Sequence, residues 1–112
     1  MAEYWVSHIQ KDGEHIKKVN AFLHTIEGLK HPNIFNKKEV IDSIQEKNDT
    51  WFTCMLKNKD SGKRIWEKGS RIHIIDKEGE KFIRTNPDDI GRDNLGKLPP
   101  VEQIKKDSFL EL

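Results

Sequence analysis

The stretch that most constrains this fold lies near the end of the chain, where Ile72-His73-Ile74-Ile75 and Lys81-Phe82-Ile83-Arg84-Thr85 flank Asp76-Lys77-Glu78-Gly79. Two runs of β-branched and aromatic residues around a glycine-containing turn predict a β-hairpin. The next apolar positions fall in Asp93-Asn94-Leu95-Gly96-Lys97-Leu98-Pro99-Pro100. This pattern predicts a structured tail that seals the second strand. Nothing elsewhere in the chain assembles a reaction centre.

Composition sets the outer limits. At 112 residues the chain has room for one domain and a single modest core. Only 34% of residues are hydrophobic and 35% are charged, so the core must be thin. Twenty Lys and Arg nearly balance 19 Asp and Glu, which argues against a protein that coats nucleic acid or an anionic membrane. The apolar runs are short and Met-Ala-Glu-Tyr-Trp is not a basic leader, so neither a signal peptide nor a membrane helix is expected. Cys54 is the single cysteine. Without an intramolecular disulfide, stability must come from packing, and the cytoplasm is the expected compartment.

The first half of the chain reads as a hairpin followed by a helix. Tyr4 to Gln10 has strand character, Asp12-Gly13 suits a two-residue turn, and the strand pattern resumes at Glu14. That loop pairs Lys11 with Glu14, Ile9 with Ile16, Val6 with Val19 and Tyr4 with Ala21. Leu23 to Phe35 contains Gly28 and His31-Pro32 and reads as an irregular connection. A helix is predicted from Lys37 to about Lys47. Asn36 caps it, Glu39 completes the capping box, and Phe35 and Val40 form the staple. Val40, Ile41 and Ile44 share its apolar face, so it covers a sheet.

Asn48-Asp49 ends that helix, and Trp51 to Leu56 is apolar enough for a central strand. Asp60-Ser61-Gly62 turns the chain into Arg64 to Asp76, with a bulge or bend at Gly69-Ser70. The fold class expected is α+β, a small mainly antiparallel sheet in the order β-β-α-β-β-β with one covering helix. The expected core is Val6, Val19, Val40, Ile41, Ile44, Phe52, Cys54, Leu56, Ile72, Ile74, Ile83, Leu95 and Leu98. Val101, Ile104 and Phe109-Leu110 fit either a short terminal helix or a frayed end.

The helix motif Asn36-Lys37-Lys38-Glu39-Val40-Ile41, the aromatic strand after it, and Phe82-Ile83-Arg84-Thr85 followed by Asn94-Leu95 and Leu98-Pro99 carry a resemblance. Over residues 4 to 100 the chain resembles a small bacterial domain family catalogued as being of unknown function. It departs in the length of the segment from Leu23 to Phe35, and in Pro100, where members often carry a cysteine. The resemblance implies a fold and transfers no catalytic residues.

A search for chemistry finds scattered groups. The five histidines are His8, His15, His24, His31 and His73. The expected register places His8 and His15 on one side of the first hairpin, but two ligands fall short of a zinc site. Cys54, between apolar neighbours on a strand, reads as a small buried hydrophobe rather than a nucleophile. Asp88, Asp89 and Asp93 lie close enough to hold a hard cation, although a turn with Asp side chains capping local amides is the favoured reading. No phosphate loop, nucleophile elbow or paired acid and base is present, so no enzyme, cofactor or metal is expected.

The remaining surface is basic. Lys63 to Arg84 holds seven Lys or Arg against four acidic residues, and strand alternation places Arg64, Trp66 and Lys68 on one side. The candidate binding surface is therefore Arg64, Trp66, Lys68, Arg71 and Arg84. A tryptophan framed by cations can stack on a nucleic-acid base. The favoured reading of the same residues is that Trp66 belongs to the core, with the cations keeping an edge strand soluble. Three tryptophans and five phenylalanines are many rings for a thin core, so an exposed ring can mark a protein partner or a homodimer surface. The expectation is a non-catalytic binding module for protein partners or self-association. A nucleic-acid module on residues 63–84 is the alternative, and a small-molecule binder is a third.

Overall fold

In the computed structural model, which describes residues 2–13, 15–58, 62, 64–85 and 93–101, the first three elements are all strands. β1 (Glu3–Asp12) and β2 (His15–Thr25) form the expected first hairpin, and β3 (Gly28–Asn36) adds a strand where an irregular connection was expected. Thr25 makes that addition possible. Its hydroxyl accepts the Glu27 amide and donates to the Gly28 carbonyl, closing a tight turn, and Gly28 takes a φ of 109°. Pro32 does not break β3, which lies at the edge of the sheet, where a missing N–H is tolerated.

The pairing of β1 with β2 also departs from expectation. Asp12 pairs with His15, so the turn slides by one residue. Lys11 then faces Ile16, Ile9 faces Val19, Val6 faces Ala21 and Tyr4 faces Leu23. Register shifts between Val6 and His8 and between Gln10 and Lys11 interrupt the regular count. Glu14 lies outside the described residues.

The helix follows its local signals. α1 (Lys37–Glu46) begins at Asn36, whose Oδ1 accepts the Glu39 amide at 2.8 Å, while Glu39 Oε1 accepts the Asn36 amide at 2.9 Å. Val40 and Ile41 are buried, Ile44 packs against the same core cluster, and so does Phe35. Asn48 stops the helix with a φ of 56°. Asp49 then ties three elements together. It accepts the Ala2 amide and the Ser43 hydroxyl, each at 2.7 Å, and Ser43 Oγ accepts the Trp51 indole N–H at 2.9 Å.

β4 (Thr50–Asn58) runs parallel to β1 and antiparallel to β5 (Arg64–Arg71), giving a mixed five-stranded sheet in the order β3-β2-β1-β4-β5. Gly69 makes the close β4–β5 contact possible. A Cβ there would lie 2.6 Å from Thr53 Oγ1, and the Ser70 amide donates to that same oxygen. The register shift between Phe52 and Cys54 is the bulge expected at Gly69-Ser70. Arg64 to Asp76 is two strands, because Ile72 turns inward and donates its amide to the Trp51 carbonyl. β6 (His73–Lys77) and β7 (Glu80–Arg84) form a separate hairpin around Glu78 and Gly79, both at positive φ.

The tail closes the structure as expected. Asn94 exchanges backbone hydrogen bonds with Ile83 in β7 and with Thr85 just after it, and Pro99 accepts the amide of Ile9 in β1. Among the expected core residues, Val6, Val19, Val40, Ile41, Cys54, Ile72, Ile83 and Leu95 are buried. Ile44, Phe52, Leu56, Ile74 and Leu98 are half-buried. Ile9, Ile16, Ala21, Phe22, Trp51 and Phe82 join the buried set. Ile104, Phe109 and Leu110 lie outside the described residues.

Candidate functional site

The predicted basic surface is divided by the fold. Trp66 is half-buried, its ring 5.3 Å from Phe22 and 6.1 Å from His8. Phe22 lies on β2, three strand spacings from β5, which is about 14 Å in a flat sheet. The sheet therefore curls until its β5 edge meets β2. Trp66 Nε1 is buried there with no hydrogen-bond partner among the described residues. Lys68 and Arg71 are exposed, and Lys68 Nζ stands 4.5 Å above the Phe52 ring. Arg84 belongs to the other sheet and is only 4% exposed, so it does not share that surface. The side chain of Arg64 lies outside the described residues.

The histidines separate too. His8 is buried and its Nδ1 lies 2.7 Å from Ser7 Oγ, which accepts the Asn20 side-chain amide. The exposed ring of His15 stacks on Phe82 in the second sheet. The shared hairpin side expected for them is lost with the register. Asp93 is 4% exposed and engaged by the amides of Ile16 and Ile83 and by Lys37 Nζ. Asp88 and Asp89, the other carboxylates considered for a cation, lie outside the described residues. No three His, Cys, Asp or Glu side chains among the described residues form a metal-holding group.

One predicted residue does reach a larger feature. Lys68 lines an open groove of about 720 Å³ at one end of the five-stranded sheet, together with Glu3, Leu23, His24, Ile26 and Thr50. Glu3 organises this end. Its Oε2 accepts the Trp5 indole N–H at 2.9 Å and lies 2.7 Å from His24 Nδ1, and its Oε1 lies 3.9 Å from Lys68 Nζ. The His24 ring stacks on Trp5, with centroids 4.7 Å apart and planes 19° from parallel. At the lip of the groove, the β2–β3 turn holds Ile26 fully exposed, at 105% of its reference area.

The family described as Protein of unknown function (DUF3892) matches residues 5–99. The chain belongs to the DUF3892 family. The matched span contains His24, Ile26 and Lys68 and stops short of Glu3. No curated protein and no solved structure matches the chain. The DUF3892 match therefore carries a family and leaves the chemistry to the site.

Other groups in this DUF3892 domain are occupied structurally. Burial pushes the Cys54 thiol up to about 12, and its Sγ donates to the Val6 carbonyl. Burial opposes ionisation of Asp49, but the Ser43 hydroxyl and Ala2 amide outweigh it and hold the carboxyl below its usual range. Burial, with the Asp49 carboxylate beside it, holds the Tyr4 phenol above its usual range. A smaller cavity of about 250 Å³ lies between Tyr4, Phe35 and the Glu39, Asp42 and Glu46 side of α1. Tyr4 and Trp51 stack on each other at 4.4 Å behind it. No helix among the described residues is long and apolar enough to cross a membrane.

Sequence reasoning missed Glu3, His24 and Ile26. Glu3 and His24 are directly opposed in the β1–β2 pairing, which the expected register did not reach. The signal available for Ile26 was Thr25-Ile26-Glu27-Gly28, a turn sequence with an apolar residue at its tip.

Proposed function

We propose that this domain is a non-catalytic, cytoplasmic protein-binding module that docks another polypeptide in the groove beside Ile26. The observation that carries the reading is the full exposure of Ile26 at the lip of a groove containing Glu3, His24 and Lys68. A large apolar side chain held outward on a closed turn gains by being covered. The charges around it offer an incoming chain both the Glu3 carboxylate and the Lys68 ammonium, which fixes orientation. Nucleic-acid binding has weaker support, because Trp66 is turned into Phe22 and Arg84 is buried.

The test places the photoreactive residue benzoylphenylalanine at position 26, and at Lys77 as a control, in cells that express the chain. Polypeptide adducts at position 26 and none at 77, identified by mass spectrometry, support the reading. Adducts to nucleic acid, or none at either position, overturn it.

A further inference from the structure

We infer that the polypeptide received by this groove is a second copy of the same chain, placed by a two-fold axis so that each Ile26 enters the other copy's groove. This rests on the protein-docking reading above. A two-fold interface must be self-complementary, with one patch supplying both the projection and the recess. Here they are contiguous: Ile26 projects from the turn and also lines the groove, with Leu23 in its wall. Ile34 on β3 is a further exposed apolar residue of the same hairpin, at 45%.

The charges are arranged for the same operation. Glu3 Oε1 and Lys68 Nζ form a long ion pair at 3.9 Å, wider than a hydrogen bond, and Lys68 is about half exposed, so the pair is open to exchange of partners. A two-fold can therefore bring Lys68 of one copy to Glu3 of the other and repeat that contact symmetrically. A formal net charge of +1 leaves little long-range repulsion between copies. Extension of the sheet through β3 is the less favourable geometry, because Pro32 offers no N–H in that strand. Side chains thus carry the contact. A groove and one projecting residue per copy belong at the small end of interface sizes, so the dimer is reversible and concentration-dependent.

Sedimentation equilibrium up to about 500 µM tests this, since a weak dimer populates in that range. The wild-type chain is expected to show a reversible monomer–dimer equilibrium. K68E and E3K should each weaken it by about tenfold or more through like-charge contacts, and an equimolar mixture of the two should restore it as a heterodimer. I26D lies on an exposed turn and should abolish the dimer with an unchanged unfolding curve. A wild-type chain that stays monomeric, or a mixture as weak as either variant alone, overturns the second copy. If position 26 then still crosslinks to a different polypeptide, only the identity of the partner has failed. If it crosslinks to none, the docking reading has failed as well.

Discussion

The carboxylate of Asp93 accepts the backbone amide of Ile16 at 2.8 Å across 77 positions of sequence, joining the tail to β2. Lys37 at the start of α1 donates to that same oxygen, Oδ2, at 2.9 Å, while Oδ1 accepts the Ile83 amide from β7 at 3.0 Å. One buried side chain therefore fastens the hairpin, the helix and the five-stranded sheet together. Each amide would be an unpaired buried donor without it.

Asp93→Ala should accordingly be among the most damaging single substitutions in the tail. Two buried amides and one ammonium lose their acceptor, at a cost of about 3–5 kcal/mol. Urea unfolding measures it, and Asp93→Asn, which keeps one carbonyl acceptor, should lose less.

Asp49 makes stability depend on acid. Its carboxyl is held below the ordinary value of 3.8, so the folded state binds the proton less readily than the unfolded chain. The resulting stabilisation is fully present above the unfolded value and is lost as pH falls through the lower folded one. The stability difference between wild type and Asp49→Asn should hold steady from about pH 5 to 7 and narrow below about pH 4. Urea midpoints of the two proteins across that range provide the check.

Cys54 should be chemically silent in the folded protein. Its thiol is 1% exposed and its pKa is pushed up to about 12, so both access and thiolate are lacking. Disulfide-exchange reagents at pH 8 should label it only at the rate of unfolding, and fully in denaturant.

Gly69→Ala tests the bulge between β4 and β5. The added methyl would meet Thr53 Oγ1 at 2.6 Å and the Thr53 carbonyl oxygen at 3.2 Å, and that hydroxyl is held by the Ser70 amide. A loss of about 1–3 kcal/mol is expected in chemical unfolding, as for other overpacked sites. Thr53→Ser keeps the hydroxyl acceptor for Ser70 and should cost less.

What the sequence revealed and what it hid separate by range. The α1 cap was legible because Asn36 and Glu39 satisfy each other within one turn, and the β6–β7 hairpin because Glu78-Gly79 supplies both positive φ angles. β3 was hidden because Gly28 and Pro32 look like loop residues until the strand is known to lie at an edge. The β1 register depends on partners distant in sequence, including the Ile9 amide bonded to Pro99, and no periodicity within β1 reports them. Burial of Arg84 and Asp93 was equally unreadable from their side-chain type. The groove inherits these limits. Lys68 was found by composition, whereas Glu3 and His24 meet it only through the strand pairing.

The measurement that bears most directly on the groove is an amide nitrogen–proton NMR spectrum followed on dilution from about 500 to about 5 µM, a range that spans weak self-association. Concentration-dependent shifts are expected at Glu3, the turn from His24 to Gly28, and Lys68, with Lys77 to Lys81 unmoved. A spectrum unchanged on dilution, or shifts centred on the β6–β7 hairpin, would contradict self-association through the groove.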